Sequence, residues 1–276
     1  MSNFIISNLN KLKNAKISNP EIDLRVLLNH SKYSQSEVIL SNINENDINL
    51  KKFEVFLNRR LNNEPISKII NKKSFWKDNF YVDKSVLDPR PETEGIIEES
   101  IRIIKNKKRN LKILDIGTGS GAIAISLSRE FINAEITAID ISAEAINIAK
   151  KNIIDKKIQK KIRLKKISID DINGYFDLIV SNPPYLSKKE YDNAQIEIKN
   201  FEPKIALDGG SDGLAFYREF AEKIPKIMNK NAYLIIEIGE KQFNDCLDIL
   251  NCSGLNFIKK TQDLQKKDRI MMFSKI

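Results

Sequence analysis

The sequence contains few of the residues from which metal centres and nucleophilic triads are built. Its 276 residues include one histidine and two cysteines. A zinc site, or a triad based on serine or cysteine, needs more of these side chains, so we expect no metal and no such triad. Cys246 and Cys252 do not form a Cys-x-x-Cys pair, and we interpret them as ordinary small side chains.

Long hydrophobic runs are also missing. No stretch approaches the roughly 18 uninterrupted apolar residues of a membrane-spanning helix. Residues 1–6 lack the basic region and the longer apolar core of a signal peptide. The 41% of residues that are hydrophobic can nevertheless fill a core. We therefore expect a soluble, cytoplasmic protein that does not associate with a membrane.

Positive charge is in excess, with a formal net charge of +9. Nucleic-acid-binding proteins share this property. Here lysine predominates over arginine and is scattered among isoleucine and asparagine, so we expect a solvated surface without direct nucleic-acid specificity. A surface for a partner attached to RNA is the alternative. Its best candidate is a lysine cluster around one predicted strand, formed by Lys156, Lys157, Lys160, Lys161, Lys165 and Lys166.

Hydrophobic periodicity divides the chain into three segments. Residues 1–66 carry apolar side chains at helical spacing and predict a small helical domain. Residues 67–88 contain short β-like pieces around Trp76 and predict a β-hairpin linker. Residues 89–276 alternate between strand and helix patterns, which is typical of a doubly wound α/β sheet.

This alternation predicts a mostly parallel sheet that ends in a hairpin. The last two strands are separated only by a polar loop, so they should pair antiparallel. The predicted strands lie at 111–116, 135–140, 162–166, 176–181, 232–238, 254–260 and 269–275. The predicted helices lie at 93–106, 121–131, 142–154, 213–228 and 240–250.

A glycine-rich turn follows the first of these strands. It runs from Asp115 to Ala122 as Asp-Ile-Gly-Thr-Gly-Ser-Gly-Ala, and glycines allow a ligand to approach the backbone closely. Asp140 ends the next strand, where a carboxylate can accept hydrogen bonds from both ribose hydroxyls. The glycine spacing also fits a dinucleotide fingerprint. Asp115 would repel a pyrophosphate but suits a sulfonium and an ammonium group, so the turn favours S-adenosylmethionine.

A second motif, Asn182-Pro183-Pro184-Tyr185, directly follows the predicted strand at 176–181. Ligands of open α/β sheets bind at the carboxyl ends of strands, and the two prolines make this turn stiff. The side-chain oxygen of Asn182 and the carbonyl of Pro183 can accept both N–H groups of an amide or of a base amine, while Tyr185 can pack against the planar group. An ordinary strand-terminating turn is the alternative for the tetrapeptide alone. Beside an S-adenosylmethionine site, the motif indicates methyl transfer, which depends mainly on alignment.

With these motifs and the segment Val-Leu-Asp-Pro-Arg-Pro-Glu-Thr-Glu at Val86 to Glu94, the chain resembles a known family. It is similar over essentially its whole length to the protein-glutamine N5-methyltransferases of the HemK/PrmC group. The resemblance implies a class I S-adenosylmethionine-dependent methyltransferase domain, with a Rossmann-like doubly wound sheet ending in an antiparallel hairpin. It further implies an N-terminal helical domain that docks the substrate. The implied reaction is methylation of the glutamine in the Gly-Gly-Gln motif of class I peptide-chain release factors.

The motifs and the resemblance together identify the candidate site residues. The catalytic candidates are Asn182, Pro183 and Tyr185. The substrate glutamine should contact Asn182, Pro183, Pro184 and Tyr185. The cofactor-binding candidates are Asp115, Gly117, Thr118, Gly119, Ser120, Gly121, Asp140, Ser168 and Asn182. Ser168-Ile169 departs from the family pattern of an acidic or amide residue followed by an aromatic one, so Asp170 or Asp171 is the alternative contact for the adenine.

Three other functions remain open. A sister enzyme acting on a ribosomal-protein glutamine is the nearest rival. A DNA adenine N6-methyltransferase uses an Asn-Pro-Pro-Tyr motif in the same way, to hold an amino group, but it normally needs a base-reading domain for a flipped base. A non-catalytic binding module is disfavoured because Asp115, Gly117, Asp140 and Asn182 are all intact.

Overall fold

The chain forms two compact units in a computed structural model that describes residues 2–33, 39–40 and 43–275. One unit comprises Met1–Lys72 together with Gln195–Phe201, and the other comprises Lys73–Ala194 together with Glu202–Ile276. The first boundary therefore follows Lys72, whereas the sequence pattern changes after residue 66. The difference arises because a short helix continues the helical pattern to residue 70.

The first unit is helical. Its N-terminal α-helices are α1 (Asn3–Asn14), α2 (Pro20–Asn29), α3 (Leu50–Leu61) and α4 (Ile66–Ile70). Their apolar faces share one core, which includes Leu9, Leu12, Leu24, Leu27, Phe53, Leu57 and Ile69. Burial of these side chains, rather than helix propensity, is what stabilises such short helices.

A buried arginine crosslinks this unit. The Arg60 guanidinium on α3 donates to Asp23 at 2.6 Å and to Glu197 at 2.7 Å. Glu197 belongs to the short helix Ile196–Phe201, which explains why a segment distant in sequence joins the N-terminal helices. Two opposite charges satisfy the guanidinium, as a buried charge requires.

The second unit begins with a β-hairpin made of β1 (Lys73–Phe75) and β2 (Asp78–Phe80), which pair antiparallel. Phe75 and Phe80 are buried in the core of the main sheet. This hairpin lies within residues 67–88, the segment for which the sequence predicts a hairpin linker. Its apolar side chains pack as part of the sheet unit.

The main sheet follows the predicted alternation. Its seven strands are arranged in the order β5-β4-β3-β6-β7-β9-β8, and the pairs β7–β9 and β9–β8 are antiparallel whereas the others are parallel. The strands are β3 (Lys112–Ile116), β4 (Glu135–Asp140), β5 (Ile162–Lys166), β6 (Phe176–Ser181), β7 (Met228–Glu237), β8 (Asn256–Gln262) and β9 (Asp268–Ser274). The predicted parallel sheet with a final antiparallel hairpin is confirmed.

Helices cover both faces of this sheet, because its strands are apolar on both faces. On β3, successive side chains alternate between the two layers, so Ile113 packs in one core and Leu114 in the other. The first layer contains α5 (Glu94–Ile103), α6 (Ala122–Glu130) and α7 (Ala143–Asp155). The second contains α10 (Ala215–Ile227) and α11 (Phe243–Asn251).

The sequence pattern did not predict the helical turns between β6 and α10. These are α8 (Lys188–Asp192) and α9 (Ile196–Phe201). Each is too short to show a helical period in the sequence. No helix among the described residues is both long and apolar enough to cross a membrane.

The strand order determines where the motifs meet. β3 lies between β4 and β6, and its last residue, Ile116, pairs with Ile139 on one side and with Ser181 on the other. All three strands are parallel and therefore end at the same edge of the sheet. The residues that follow them, at positions 117, 140 and 182, are consequently neighbours.

Candidate functional site

A cavity of about 330 Å³ opens at this carboxyl edge of the sheet. Its wall is formed by the turns after β3, β4, β5 and β6, by one side of α10, and by residues of the segments 85–93 and 203–206. Of the predicted site residues, the wall contains Gly117, Thr118, Gly119, Ser120, Asp140, Ser168, Asn182, Pro183 and Pro184. Asp115, Gly121 and Tyr185 lie outside it.

The turn after β3 has a backbone conformation that requires glycine. Gly117 and Gly119 have φ angles of +70° and +53°, and a Cβ atom at either position would meet no atom within 4 Å. Open space at these positions lets a ligand lie against the backbone. Gly121 differs, because it begins α6 and packs against Ala149. It therefore allows close packing between helices and does not reach the cavity.

Asp140 lies on the cavity wall and also organises the glycine turn. Its Oδ2 accepts from the Gly119 N–H at 2.9 Å, and its Oδ1 accepts from the Ser142 N–H at 2.9 Å. Burial raises the pKa of Asp140, while these backbone hydrogen bonds lower it. Each carboxylate oxygen retains a lone pair for a further donor, such as a ribose hydroxyl.

Asp115 lies behind the glycine turn and is fully buried. One oxygen accepts from the Thr118 hydroxyl at 2.6 Å and from the Ala124 N–H at 3.2 Å. The other oxygen, Oδ1, has no hydrogen-bond partner within the described part of the chain. Burial raises the pKa of Asp115 to about 7. The Asp115 side chain thus stabilises the turn through these two hydrogen bonds. The carboxylate lies behind the cavity wall and is not part of it.

Asn182 lines the cavity and carries a buried, unpaired acceptor. Its Nδ2 donates to the Thr93 hydroxyl oxygen at 3.1 Å. Its Oδ1 is buried and has no partner among residues 2–33, 39–40 and 43–275. A buried, unpaired amide oxygen costs free energy unless a ligand supplies a donor. This geometry suits recognition of an N–H group.

Tyr185 lies behind the Asn-Pro-Pro turn, and its ring does not form part of the wall. Its hydroxyl donates to Oε1 of Glu237 at 3.3 Å. Burial raises the pKa of Tyr185 well above its ordinary value. In this conformation the ring does not offer the expected packing surface for a planar substrate group. Its hydroxyl is bonded to Glu237.

Glu237 and Thr93 belong to the site but were not among the predicted residues. Glu237 ends β7, where it is 1% exposed, and its Oε2 accepts from the Thr93 hydroxyl at 2.6 Å. An acidic residue at the end of the apolar run Leu234-Ile235-Ile236 is the signal that could have identified it. Thr93 lies in the Pro-Arg-Pro-Glu-Thr-Glu segment, whose role in the site depends on contacts distant in sequence.

The turn after β5 forms an apolar part of the wall. Ser168 and Ile169 line it, as do Phe216, Glu219 and Phe220 of α10, so its apolar part is made by Ile169 and the two phenylalanines. Asp170, the alternative adenine contact, forms an ion pair with Lys223 instead. Neither Asp170 nor Asp171 lines the cavity. Such a slot suits a flat, uncharged ring.

No group of three or more histidine, cysteine, aspartate or glutamate side chains in the described ranges is arranged to hold a metal ion. The expectation that the reaction needs no metal stays a prediction.

The order of the strands and the cavity at the carboxyl edge of the sheet are those of the class I S-adenosylmethionine-dependent methyltransferase fold. Residues 101–201 match the family model of the methyltransferase small domain. The crystal structure of a ribosomal protein L11 methylase from Lactobacillus delbrueckii subsp. bulgaricus is similar, with a TM-score of 0.52. That similarity covers 68% of this chain and 82% of the other at 21% identity, and it concerns the fold alone.

The chain belongs to the release factor glutamine methyltransferase family. It is 34% identical to the release factor glutamine methyltransferase of Caulobacter vibrioides, over 95% of this chain and 92% of that protein.

Longer relatives match as well. The chain is 36% identical to a bifunctional methyltransferase of Rickettsia bellii over 96% of its own length, but it spans only 53% of that protein. The chain thus spans about half the length of these curated relatives.

Proposed function

We propose that this protein transfers a methyl group from S-adenosylmethionine to the side-chain amide nitrogen, N5, of the glutamine in the Gly-Gly-Gln motif of class I peptide-chain release factors. The observation that supports this most directly is the buried, unpaired Oδ1 of Asn182 on the cavity wall. Membership of the release factor glutamine methyltransferase family supports the choice of substrate.

The residues of the cavity fit S-adenosylmethionine. Asp140 offers carboxylate lone pairs for the ribose, Gly117 and Gly119 leave room for the ligand against the backbone, and the apolar slot beside Ile169 suits the adenine. The nearby charge of Asp115 favours a cationic ligand. When bound, the cofactor supplies an electrophilic methyl group on a sulfonium.

The chain's own contribution is alignment. An amide nitrogen is a weak nucleophile, because its lone pair is delocalised into the carbonyl. The Asn182 Oδ1 and the Pro183 carbonyl accept the two N–H groups of the substrate amide and so orient its nitrogen toward the methyl group. Binding that is strongest in the aligned transition state raises kcat. No general base is needed before methyl transfer: the sulfonium would leave as the neutral thioether S-adenosylhomocysteine, and the methylated nitrogen would release one of its two protons to water.

The partner and the location are part of the same proposal. A release factor is a translation protein, and a cytoplasmic location follows from that substrate. We interpret the lysine-rich surface around β5 as a solvated face, except for Lys156, whose Nζ donates to the Asn79 carbonyl at 2.6 Å.

A labelling experiment tests the function. Purified protein is incubated with methyl-labelled S-adenosylmethionine and, in separate reactions, with a class I release factor, ribosomal subunits and duplex DNA. We expect label in the release factor alone. Label in a ribosomal protein or in DNA would assign the chain to one of the other two methyltransferase classes.

Two variants make this experiment specific. A release factor with Gly-Gly-Gln changed to Gly-Gly-Ala should take no label. Asn182→Ala in the enzyme should lower kcat by about 10²–10³, the cost of one positioned catalytic hydrogen bond. Asn182→Asp should be milder, because a carboxylate still accepts N–H bonds. A near-normal rate for Asn182→Ala would show that Asn-Pro-Pro-Tyr is only a turn.

A further inference from the structure

A single buried carboxylate connects the two ends of the Asn-Pro-Pro-Tyr turn. Glu237 Oε2 accepts from the Thr93 hydroxyl at 2.6 Å, and Thr93 in turn accepts from Asn182 Nδ2 at 3.1 Å. Glu237 Oε1 accepts from the Tyr185 hydroxyl at 3.3 Å. Both oxygens of one side chain therefore hold the first and the last residue of the turn.

The chain of hydrogen bonds has a direction. A threonine hydroxyl has one hydrogen atom, and Thr93 donates it to Glu237. Toward Asn182, Thr93 is left with acceptor lone pairs only. The Asn182 carboxamide must then turn its NH₂ group to Thr93, which leaves Oδ1 as an acceptor without a partner among the described residues. If Thr93 donated to Asn182 instead, the carboxamide would be reversed and would present a donor where the substrate needs an acceptor.

We propose that Glu237 is a positioning residue for methyl transfer: its carboxylate, acting through Thr93, determines that Asn182 presents an oxygen and not an NH₂ group to the substrate amide. Glu237 does not itself contact the substrate. The inference rests on the proposed function, since it assigns a role within that reaction.

The charge state of Glu237 is the point at which this arrangement is sensitive to pH. Burial raises the pKa of Glu237 to about 7, opposed by the hydrogen bonds from Thr93 and Tyr185 and by the positive charge of Arg269 on β9. Glu92 adds a negative charge, and the Tyr217 hydroxyl on α10 donates to the backbone carbonyl of Glu237 at 3.1 Å.

Protonation would give Glu237 a hydrogen of its own to donate. Glu237 would then no longer require the Thr93 hydroxyl as a donor. The hydrogen bonds from Asn182 through Thr93 to Glu237 would lose their fixed direction. The ionised form is therefore the active one, and kcat should rise with pH through about 7.

Three variants separate positioning from folding. Glu237→Gln keeps the shape but removes the charge. Thr93→Val removes the hydroxyl, and Thr93→Ser retains it. We expect kcat to fall about tenfold or more for Glu237→Gln and Thr93→Val, below the loss from a direct catalytic contact. Thr93→Ser should recover most of the rate. Glu99→Gln is the control, because Glu99 is an equally buried carboxylate, but it is bonded to Arg102 and Thr261.

The pH profile of kcat at saturating cofactor is the discriminating measurement. The wild type should show a rising limb near pH 7 that is absent in Glu237→Gln and present in Glu99→Gln. Asp115→Asn tests the other carboxylate with a similarly raised pKa, because Asp115 lies outside the hydrogen bonds that connect Glu237 to Asn182. A limb that disappears in Asp115→Asn and persists in Glu237→Gln would overturn the inference, as would an unchanged kcat in Glu237→Gln.

A readout independent of activity keeps the inference separate from the proposed function. In protein labelled with ¹⁵N-asparagine, the Asn182 side-chain NH₂ signal should shift with a midpoint near pH 7 in the wild type and stay constant in Glu237→Gln. If the wild type labels no release factor, the proposed function fails, and this titration still decides whether Glu237 controls Asn182. A signal that does not respond to pH in the wild type overturns the inference.

Discussion

Gln242 holds the backbone carbonyl of Tyr185. Its Nε2 lies 2.9 Å from that oxygen and 3.1 Å from the carbonyl oxygen of Gly213, while its Oε1 accepts from the Gly239 N–H at 2.9 Å. One side chain at the start of α11 thus joins the ends of β6 and β7 to the loop before α10. The Asn-Pro-Pro-Tyr turn is consequently held from its far side as well as by Glu237.

Gln242→Ala should destabilise the protein and slow catalysis. The substitution removes three hydrogen bonds and leaves two carbonyls and an N–H to find other partners, at a cost of about 1–3 kcal/mol in the free energy of unfolding. Urea unfolding measures this cost, and single-turnover methylation measures the rate. Gln265→Ala is the matched control on an exposed loop and should change neither. Equal stabilities for the two variants would contradict the prediction.

Gly213→Ala should be far more damaging than its backbone angle alone explains. Gly213 has a φ angle of +80°, and a Cβ atom there would lie 2.5 Å from the Tyr185 carbonyl oxygen and 2.6 Å from Gln242 Nε2. Gly254→Ala is a control for the strain, because its φ angle is +85° and a Cβ atom meets nothing within 4 Å. We expect Gly254→Ala to cost about 1 kcal/mol.

The comparison of these two glycine variants isolates the close contact. Thermal unfolding should give a lower Tm for Gly213→Ala than for Gly254→Ala, and only Gly213→Ala should lose methylation activity. If the two lose the same stability and both keep activity, the turn tolerates displacement and is not held as described.

Asp140→Ala should weaken binding of S-adenosylmethionine. The carboxylate has two tasks, because it accepts from the backbone of the glycine turn and offers lone pairs to the ligand. We expect a loss of about 1–3 kcal/mol in binding free energy, on the scale of hydrogen bonds to a charged group. Calorimetry with S-adenosylhomocysteine measures it. Asp155→Ala, at an exposed aspartate, should leave the affinity unchanged. Unaltered affinity in Asp140→Ala, or tight binding of NAD by the wild type, would remove the assignment.

Asp115 should make the ligand-free protein less stable as the pH rises. Its pKa is raised by burial to about 7, so the folded state keeps a proton that the unfolded state releases from about pH 4 upward. The free energy of unfolding should therefore fall between about pH 4 and 7, by up to about 1.4 kcal/mol per pH unit, and level off above.

Unfolding in urea across this pH range checks the Asp115 prediction. Asp115→Asn cannot ionise at this position and should show a shallower pH dependence than the wild type. The slope that remains includes the contribution of Glu237, whose pKa is also raised to about 7. Parallel curves for wild type and Asp115→Asn would show that Asp115 does not titrate in this range.

The sequence by itself determined the order and type of the seven strands of the main sheet and of the longer helices between them. Strands such as 135–140 and 176–181 were predictable because apolar runs and helical periods are local properties of the chain. The two turns were predictable for the same reason, since glycine at Gly117 and the proline pair after Asn182 restrict the backbone wherever they occur. That these turns share one edge follows from the parallel strands of a doubly wound sheet.

Only the tertiary structure decided how the side chains at that edge are connected. Thr93 and Glu237 are 144 residues apart, and Asn182 and Thr93 are 89 apart. No local pattern encodes such pairs, because they depend on β6 lying beside β7 and on the segment before α5 returning to their ends. The same packing placed Asp115 behind the glycine turn and drew the Tyr185 hydroxyl away from the cavity. A residue type and a strand position specify which chemistry is available, whereas the direction in which a buried amide faces is determined by the neighbours that complete its hydrogen bonds.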